Sequence, residues 1–257
     1  MIPSPRRSDV IRWTYACIDR PTALVGPATD FWTTVTGTHA SAPWGAGRFT
    51  TLLPDAAGGA GTADACLVVQ AVGGPGGAHP DLAVEDVPAF TARAARLGAA
   101  VGPHGPGSTV LRSPGGQPFC VVPWRGQQDR PPVHGGPGRP ESRLDQLCLD
   151  VAPASFEAEV VFWTALTGWD ATPGEHPEFV ALRPRPDLPV HLLLQRLTEA
   201  RPASAHLDIA CPDLGAGRAW HERCGASFVR DGPAWTVMRD PAGGVYCLTR
   251  RAPETGR

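Results

Sequence analysis

The chain has 257 residues, 42% hydrophobic and 19% charged, with a formal net charge of −2. That length holds one large domain or two of about 120–130 residues, and the balance suits a packed protein rather than a disordered one. Near-neutral charge without a basic run argues against nucleic-acid binding, and no apolar stretch approaches the roughly 18 residues of a membrane span.

At the N-terminus, Met1-Ile2-Pro3-Ser4-Pro5-Arg6-Arg7 has charge but no apolar segment behind it, unlike a secretory signal, so a cytoplasmic location is expected. All 23 basic residues are arginine, and the chain contains neither lysine nor asparagine. Schiff-base and P-loop lysine chemistry and N-glycosylation are therefore excluded by residue type. The arginine, glycine and proline bias fits a GC-rich bacterial genome. Seven cysteines, at 17, 66, 120, 148, 211, 224 and 247, form no CxxC pair and read as free thiols.

Read from the N-terminus, the chain repeats itself. Phe31-Trp32-Thr33-Thr34-Val35-Thr36-Gly37 returns 131 residues later as Phe162-Trp163-Thr164-Ala165-Leu166-Thr167-Gly168. Ala78-His79-Pro80-Asp81-Leu82-Ala83 returns at a spacing of 127 as Ala205-His206-Leu207-Asp208-Ile209-Ala210. The same spacing of 127 relates Leu97-Gly98-Ala99 to Cys224-Gly225-Ala226, and 114–120 to 241–247. Four matches in one order mark a tandem duplication. Between the copies, six of the eight residues from Pro131 to Gly138 are proline or glycine. This stretch excludes a helix or central strand, so residues 126–142 read as a linker between domains at 9–125 and 143–251.

In the second copy, Leu144–Val151 alternates as a half-buried strand, with Leu147, Leu149 and Val151 on one face and Gln146, Cys148 and Asp150 on the other. Pro153 opens a helix with Phe156, Val160, Trp163 and Thr167 at helical spacing, stopped by Gly168. Strands are predicted at 179–183 and 190–197, around a proline-rich turn at 184–189. A strand at 205–210 follows, then a helix capped by Asp213 and stopped by Gly225. Short strands at 226–230, 235–239 and 245–249 complete the copy. The sum is βαβββ twice per copy, four units in all.

Paired βαβββ units, with the Phe-Trp helix, the Ala-His-x-Asp strand and the turn Arg239-Asp240-Pro241-Ala242-Gly243-Gly244 before a closing strand, resemble the vicinal oxygen chelate superfamily. That superfamily includes glyoxalase I, extradiol dioxygenases and bleomycin-resistance proteins, and this chain looks like a tandem glyoxalase-like member. The resemblance covers roughly residues 11–125 and 143–251. It implies an α+β fold of two domains, each a curled, U-shaped mixed sheet with helices outside. It also implies a cavity lined from the first strand of each unit and from the closing strands. By position, the second copy offers Gln146, Leu193 or Gln195, His206 and Cys247, and the first offers Tyr15, Val68 or Gln70, His79 and Cys120.

Alternation along 205–209 turns His206 and Asp208 away from the apolar Leu207 and Ile209, toward that cavity. In metal-using members a glutamate usually closes the site, whereas both copies here have cysteine. The set Gln, His and Cys lacks the anionic oxygens preferred by hard ions and the carboxylate base of a glyoxalase. The expectation is a metal-independent cavity that binds a small organic molecule, with no cofactor, in a monomer or homodimer. Its ligand-binding residues are Gln146, Leu193, Gln195, His206, Cys247, Tyr15, Gln70, His79 and Cys120. The alternative is an enzyme of the lyase, isomerase or dioxygenase type, using one divalent metal at His206 in the second domain or acid–base chemistry by His206 and Asp208. His221 in His221-Glu222-Arg223-Cys224 lacks a partner histidine one turn on and is expected to face solvent.

Overall fold

A computed structural model describes residues 10–55, 63–105, 107–184 and 188–256. The N-terminal 1–7 segment and positions 185–187 of the proline-rich turn lie outside the described residues. The first copy runs β1 (Ile11–Pro21), α1 (Val25–Thr36), β2 (Thr38–Ala40), β3 (Phe49–Pro54), β4 (Leu67–Val72), β5 (Gly77–Val84), α2 (Val87–Arg96), β6 (Ala100–Gly105), β7 (Ser108–Arg112) and β8 (Pro118–Pro123). A short β9 (His134–Gly136) follows in the Pro/Gly-rich stretch and pairs antiparallel with the start of the next strand. The second copy runs β10 (Arg139–Val151), α3 (Phe156–Thr167), β11 (Asp170–Pro173), β12 (Phe179–Arg183), β13 (His191–Arg196), β14 (Ser204–Ala210), α4 (Leu214–Arg223), β15 (Ser227–Asp231), β16 (Trp235–Arg239) and β17 (Val245–Thr249).

Each copy forms one open mixed sheet, in the orders β2-β3-β4-β1-β5-β8-β7-β6 and β11-β12-β13-β10-β14-β17-β16-β15. The fold is therefore the α+β arrangement of four βαβββ units that the repeats imply. Hairpins give the antiparallel pairs, while the helix crossovers give parallel ones such as β5 with β8 and β14 with β17.

Local chemistry repeats along with topology. Gly37 and Gly168 end α1 and α3 in the left-handed region, at φ 63° and 70°, which is why the Phe-Trp motif closes on glycine in both copies. Asp86 and Asp213, 127 residues apart, cap α2 and α4 by accepting from the N–H of Ala89 and Ala216, each at 2.9 Å.

Contacts divide the chain into two compact units, each drawing on both copies. One comprises Met1–Tyr15, His79–Gln128 and Leu147–Ala205, and the other Ala16–Ala78, Asp129–Gln146 and His206–Arg257. In the first unit, α3 of the second copy packs on β8 of the first. Trp163 meets Phe119 edge-on at 5.0 Å, and the buried Glu159 accepts from Trp163 Nε1, Ser113 Oγ and the Gly115 amide at 2.9, 2.7 and 2.7 Å.

In the second unit, α1 of the first copy packs on β17 of the second. Trp32 meets Tyr246 at 5.1 Å, and Asp240 accepts from Trp32 Nε1 and Arg20 Nη2 at 3.0 and 2.5 Å. Each unit thus joins an indole to a turn through one buried carboxylate. In one the carboxylate belongs to the turn, as Asp240. In the other the turn carries Ser113 at that repeat position, and the helix supplies Glu159.

Two local expectations change. Strand β10 is buried on both faces from Leu144 to Val151, not half-buried, because it is central in its sheet. His221 is 1% exposed rather than solvent-facing. One turn after Gly217 it points to the sheet, where its Nδ1 lies 2.7 Å from the Tyr246 hydroxyl.

Candidate functional site on the inner strands

Alternation on the closing strands defines which face carries the polar set. On β8, Phe119 and Val121 are fully buried, and Phe119 packs on α3, so Cys120 between them points to the opposite face. On β17, Tyr246 packs on α1, and Cys247 again points the other way. The neighbouring parallel strands align Asp81 with Cys120 and Asp208 with Cys247. His79 and His206 lie two residues before these aspartates, hence on the same face.

The side chains converge. His79 Nε2 lies 3.3 Å from Asp81 Oδ1 and 3.7 Å from Cys120 Sγ. His206 Nε2 lies 3.5 Å from Asp208 Oδ1. Burial and the nearby Asp81 carboxylate both raise the Cys120 thiol above its ordinary pKa, against the lowering effect of His79, so Cys120 is a thiol rather than a nucleophilic thiolate.

On the first strand of each sheet the chemistry is shifted by one side-chain pair from the expected position. The thiols there belong to Cys17 on β1 and Cys148 on β10, both buried. Tyr15 and Gln146 occupy the adjacent same-face positions, Tyr15 half-buried and Gln146 buried. Gln195 on β13 accepts from Cys148 Sγ at 3.9 Å, while Leu193 lies two residues earlier, opposite Ala181. Gln70 on β4 sits opposite Asp19 rather than any member of the cluster. Cys17 and Cys148 were detectable in the sequence, because their spacing of 131 equals that of the Phe-Trp motif.

Residue type then decides what these clusters hold. The closing strands carry cysteine, yet a carboxylate is present one strand over, in register with it. A thiol, an imidazole and a carboxylate form a donor set that fits a soft or borderline divalent ion such as zinc, and fits magnesium or calcium poorly. Seven free cysteines are found, and the two on the closing strands take part in no disulfide.

The glyoxalase-like domain family matches the chain twice, over residues 15–122 and 146–249. The chain belongs to that family, as a tandem protein of the vicinal oxygen chelate superfamily. No curated protein matches it in sequence. Among solved structures, a variant of homoprotocatechuate 2,3-dioxygenase from Brevibacterium fuscum is similar, with TM-score 0.62 and 14% identity over 100% of this chain and 76% of that one. A mutant of 4-hydroxymandelate synthase from Streptomyces coelicolor has TM-score 0.58 and 14% identity, over 96% and 95%. A xylose isomerase-like TIM barrel/4-hydroxyphenylpyruvate dioxygenase fusion protein has TM-score 0.58 and 14% identity, and the chain covers only 50% of it. At these identities the likeness concerns the fold. Among the described residues, no helix is long and apolar enough to cross a membrane.

Proposed function

We propose that the chain binds a small organic molecule on the polar face of its inner strands, with His206 and Asp208 as the orienting groups in the second copy. The observation that carries this reading is the His–Asp contact, at 3.3 Å in one copy and 3.5 Å in the other, on a face lined by amide and thiol groups. Asp208 is 3% exposed, so a ligand hydroxyl or carbonyl meeting this pair exchanges water for fixed, poorly screened partners. Gln146 adds an amide donor and acceptor, and Cys247 adds apolar wall. His79, Asp81 and Cys120 form the equivalent set in the first copy.

The same pair supports proton transfer. An imidazole beside a carboxylate accepts a proton and is stabilised as imidazolium, the requirement for an isomerase or lyase acting next to a carbonyl. A divalent ion held by His206, Asp208 and a neighbouring thiol would supply a Lewis-acid centre for an oxygen-bearing ligand.

The test uses the full chain, stripped of metal and also zinc-loaded, in thermal-shift and calorimetric titrations with small oxygenated organics: 2-oxo acids, 2-hydroxy acids and catechols. At least one class should bind, and His206→Ala should weaken it tenfold or more without lowering the melting temperature of the free protein. Incubation of the bound compound, followed by NMR, separates a binder from a catalyst. If no class binds, or if His206→Ala binds as tightly, the reading is wrong.

A further inference from the structure

In the second compact unit, away from the inner strands, lies a small pocket. Its wall joins Thr36 and Thr38, at the end of α1 and the start of β2, to Pro132 and His134 of the interdomain segment and to Arg143 on β10. Ile209 also lines it, and alternation along β14 sets that side chain opposite to Asp208, so the pocket and the His206–Asp208 pair occupy different faces of the strand. Its interior volume of about 20 Å³ exceeds the 10–15 Å³ or so that one water needs and is far below the roughly 300 Å³ of small organic-ligand pockets.

The duplication marks this pocket as a feature of one copy. Gly37 and Gly168 both end a helix in the left-handed region, yet a side chain at Gly37 would collide with the His134 ring, whereas the space beside Gly168 is open. Gly37 thus serves a close approach as well as a turn. Strand β9 seats the ring by placing His134 opposite Ser142, the neighbour of Arg143. Two buried nitrogens, His134 Nε2 and Arg143 Nε, have no hydrogen-bond partner among the described residues, although buried N–H groups almost always find one. Arginine Nε only donates. Burial, helped by Arg139 and opposed by Asp55, holds His134 below its ordinary pKa, so it is a neutral imidazole with one proton to donate.

Charge then sets the sign of the occupant. Burial and, after it, Arg130 hold the Arg143 guanidinium below its ordinary range, against Asp145, Cys66 and Glu254. The Asp145 carboxylate is already engaged by Arg251 at 2.7 and 3.1 Å, and Glu254 meets Arg143 Nη2 with its carbonyl oxygen at 3.0 Å. Cys66, also in the wall, stays a neutral thiol, because burial pushes it up to about 12 in spite of Arg143 and Arg130. Thr36 donates to the Trp32 carbonyl at 2.6 Å, so Thr38 is the donor in its 2.9 Å contact with Thr36, and both hydroxyl protons are committed. Two guanidiniums therefore act on a pocket whose described wall offers N–H donors and no carboxylate.

We infer that this pocket binds one small oxyanion, in the size class of acetate or inorganic phosphate, through the N–H groups of His134 Nε2 and Arg143 Nε. The anion ties the interdomain segment to the end of α1 and offsets the repulsion between Arg143 and Arg130. It is a second site, independent of the small-molecule reading above.

The experiment titrates the full chain, in Tris chloride, with sodium phosphate and separately with sodium acetate, each against sodium chloride at matched ionic strength, by calorimetry and thermal shift. One saturable equivalent of phosphate or acetate is expected, with a rise in melting temperature that chloride does not give. Arg143→Gln should weaken binding about tenfold, the loss of one charged hydrogen bond. Arg143→Lys, which keeps the charge but not the Nε donor, should restore only part of it. His134→Leu should also weaken binding, whereas His134→Gln, which keeps an N–H, should weaken it less. Circular dichroism of the anion-free variants checks folding, and if Arg143→Gln does not fold, the two His134 variants decide alone. Arg218→Gln, at an exposed arginine on α4, and His206→Ala should both bind like the wild type. A pocket that holds only water predicts no saturable response to either anion, and that result overturns the inference. So does an affinity unchanged in Arg143→Gln and His134→Leu, or one lost in His206→Ala, which would move the anion to the inner strands.

Discussion

Replacing Asp240 with alanine probes what holds α1 against the last strands of the chain. Its Oδ2 accepts from Arg20 Nη2 and Trp32 Nε1, and its Oδ1 accepts from the amides of Ala242 and Gly244 at 2.9 and 2.8 Å. The Arg20 and Asp240 side chains are only 4% and 0% exposed, so the variant leaves a guanidinium in the interior without its counter-charge. Breaking one side of such a buried pair costs about 3–5 kcal/mol. The stranded indole N–H adds about 1 kcal/mol. At roughly 2–4 °C per kcal/mol for a chain of this size, the melting temperature should fall by on the order of 10 °C.

Urea and thermal unfolding followed by circular dichroism would measure the loss. A companion Arg20→Met variant and the double variant complete a thermodynamic cycle. Removing both charges eliminates the buried, uncompensated guanidinium, so the double variant should be more stable than additivity predicts by about 1 kcal/mol or more. A cost below about 1 kcal/mol for Asp240→Ala, or an additive cycle, would show that the pair does not hold this unit together.

Two further outcomes follow from the same packing. Glu159→Ala strands the Ser113 hydroxyl, the Gly115 amide and the Trp163 indole, and should cost about 2–4 kcal/mol in urea unfolding, whereas Glu159→Gln, which keeps acceptor capacity at one oxygen, should cost less. Burial holds His221 down to a pKa of about 4 from 6.5, so the folded chain keeps it neutral while the unfolded chain binds a proton. Stability should therefore be full above pH 6.5 and decline as pH falls from 6.5 toward 4, by roughly 3 kcal/mol in total. His221→Gln should flatten that slope in unfolding measured between pH 7 and 4, and an unchanged slope would show that other groups set the acid limit.

Much of the strand and helix order was legible because it rests on local rules. Glycine stops at 37 and 168, aspartate caps at 86 and 213, and alternation along 205–209 operate within a few residues, and the duplication displays each rule twice. Strand β11 and the short β9 were less visible, since edge strands bury little and carry no strong hydrophobic pattern. His221 reversed its expected orientation because a helix of 10 residues with one polar face leaves its rotation to whatever it packs on.

The site divides in the same way. Histidine and aspartate two apart on one strand are legible as same-face neighbours, but their partners sit more than 35 residues away in sequence, and register decides which meet. Sequence position alone directed attention to Tyr15 and Gln146, whereas the buried thiols of the first strands stand two residues further on, at Cys17 and Cys148. It also counted a carboxylate as missing from the closing strands, when Asp81 and Asp208 stand directly across from those cysteines.

By itself, then, the sequence determined the duplication and the four βαβββ units, because these follow from periodicity and short-range backbone chemistry. The tertiary structure alone decided that each compact unit is assembled from both copies, and that histidine, aspartate and cysteine converge. Both depend on contacts between distant residues, for which strand register and helix rotation are set by packing the whole chain at once.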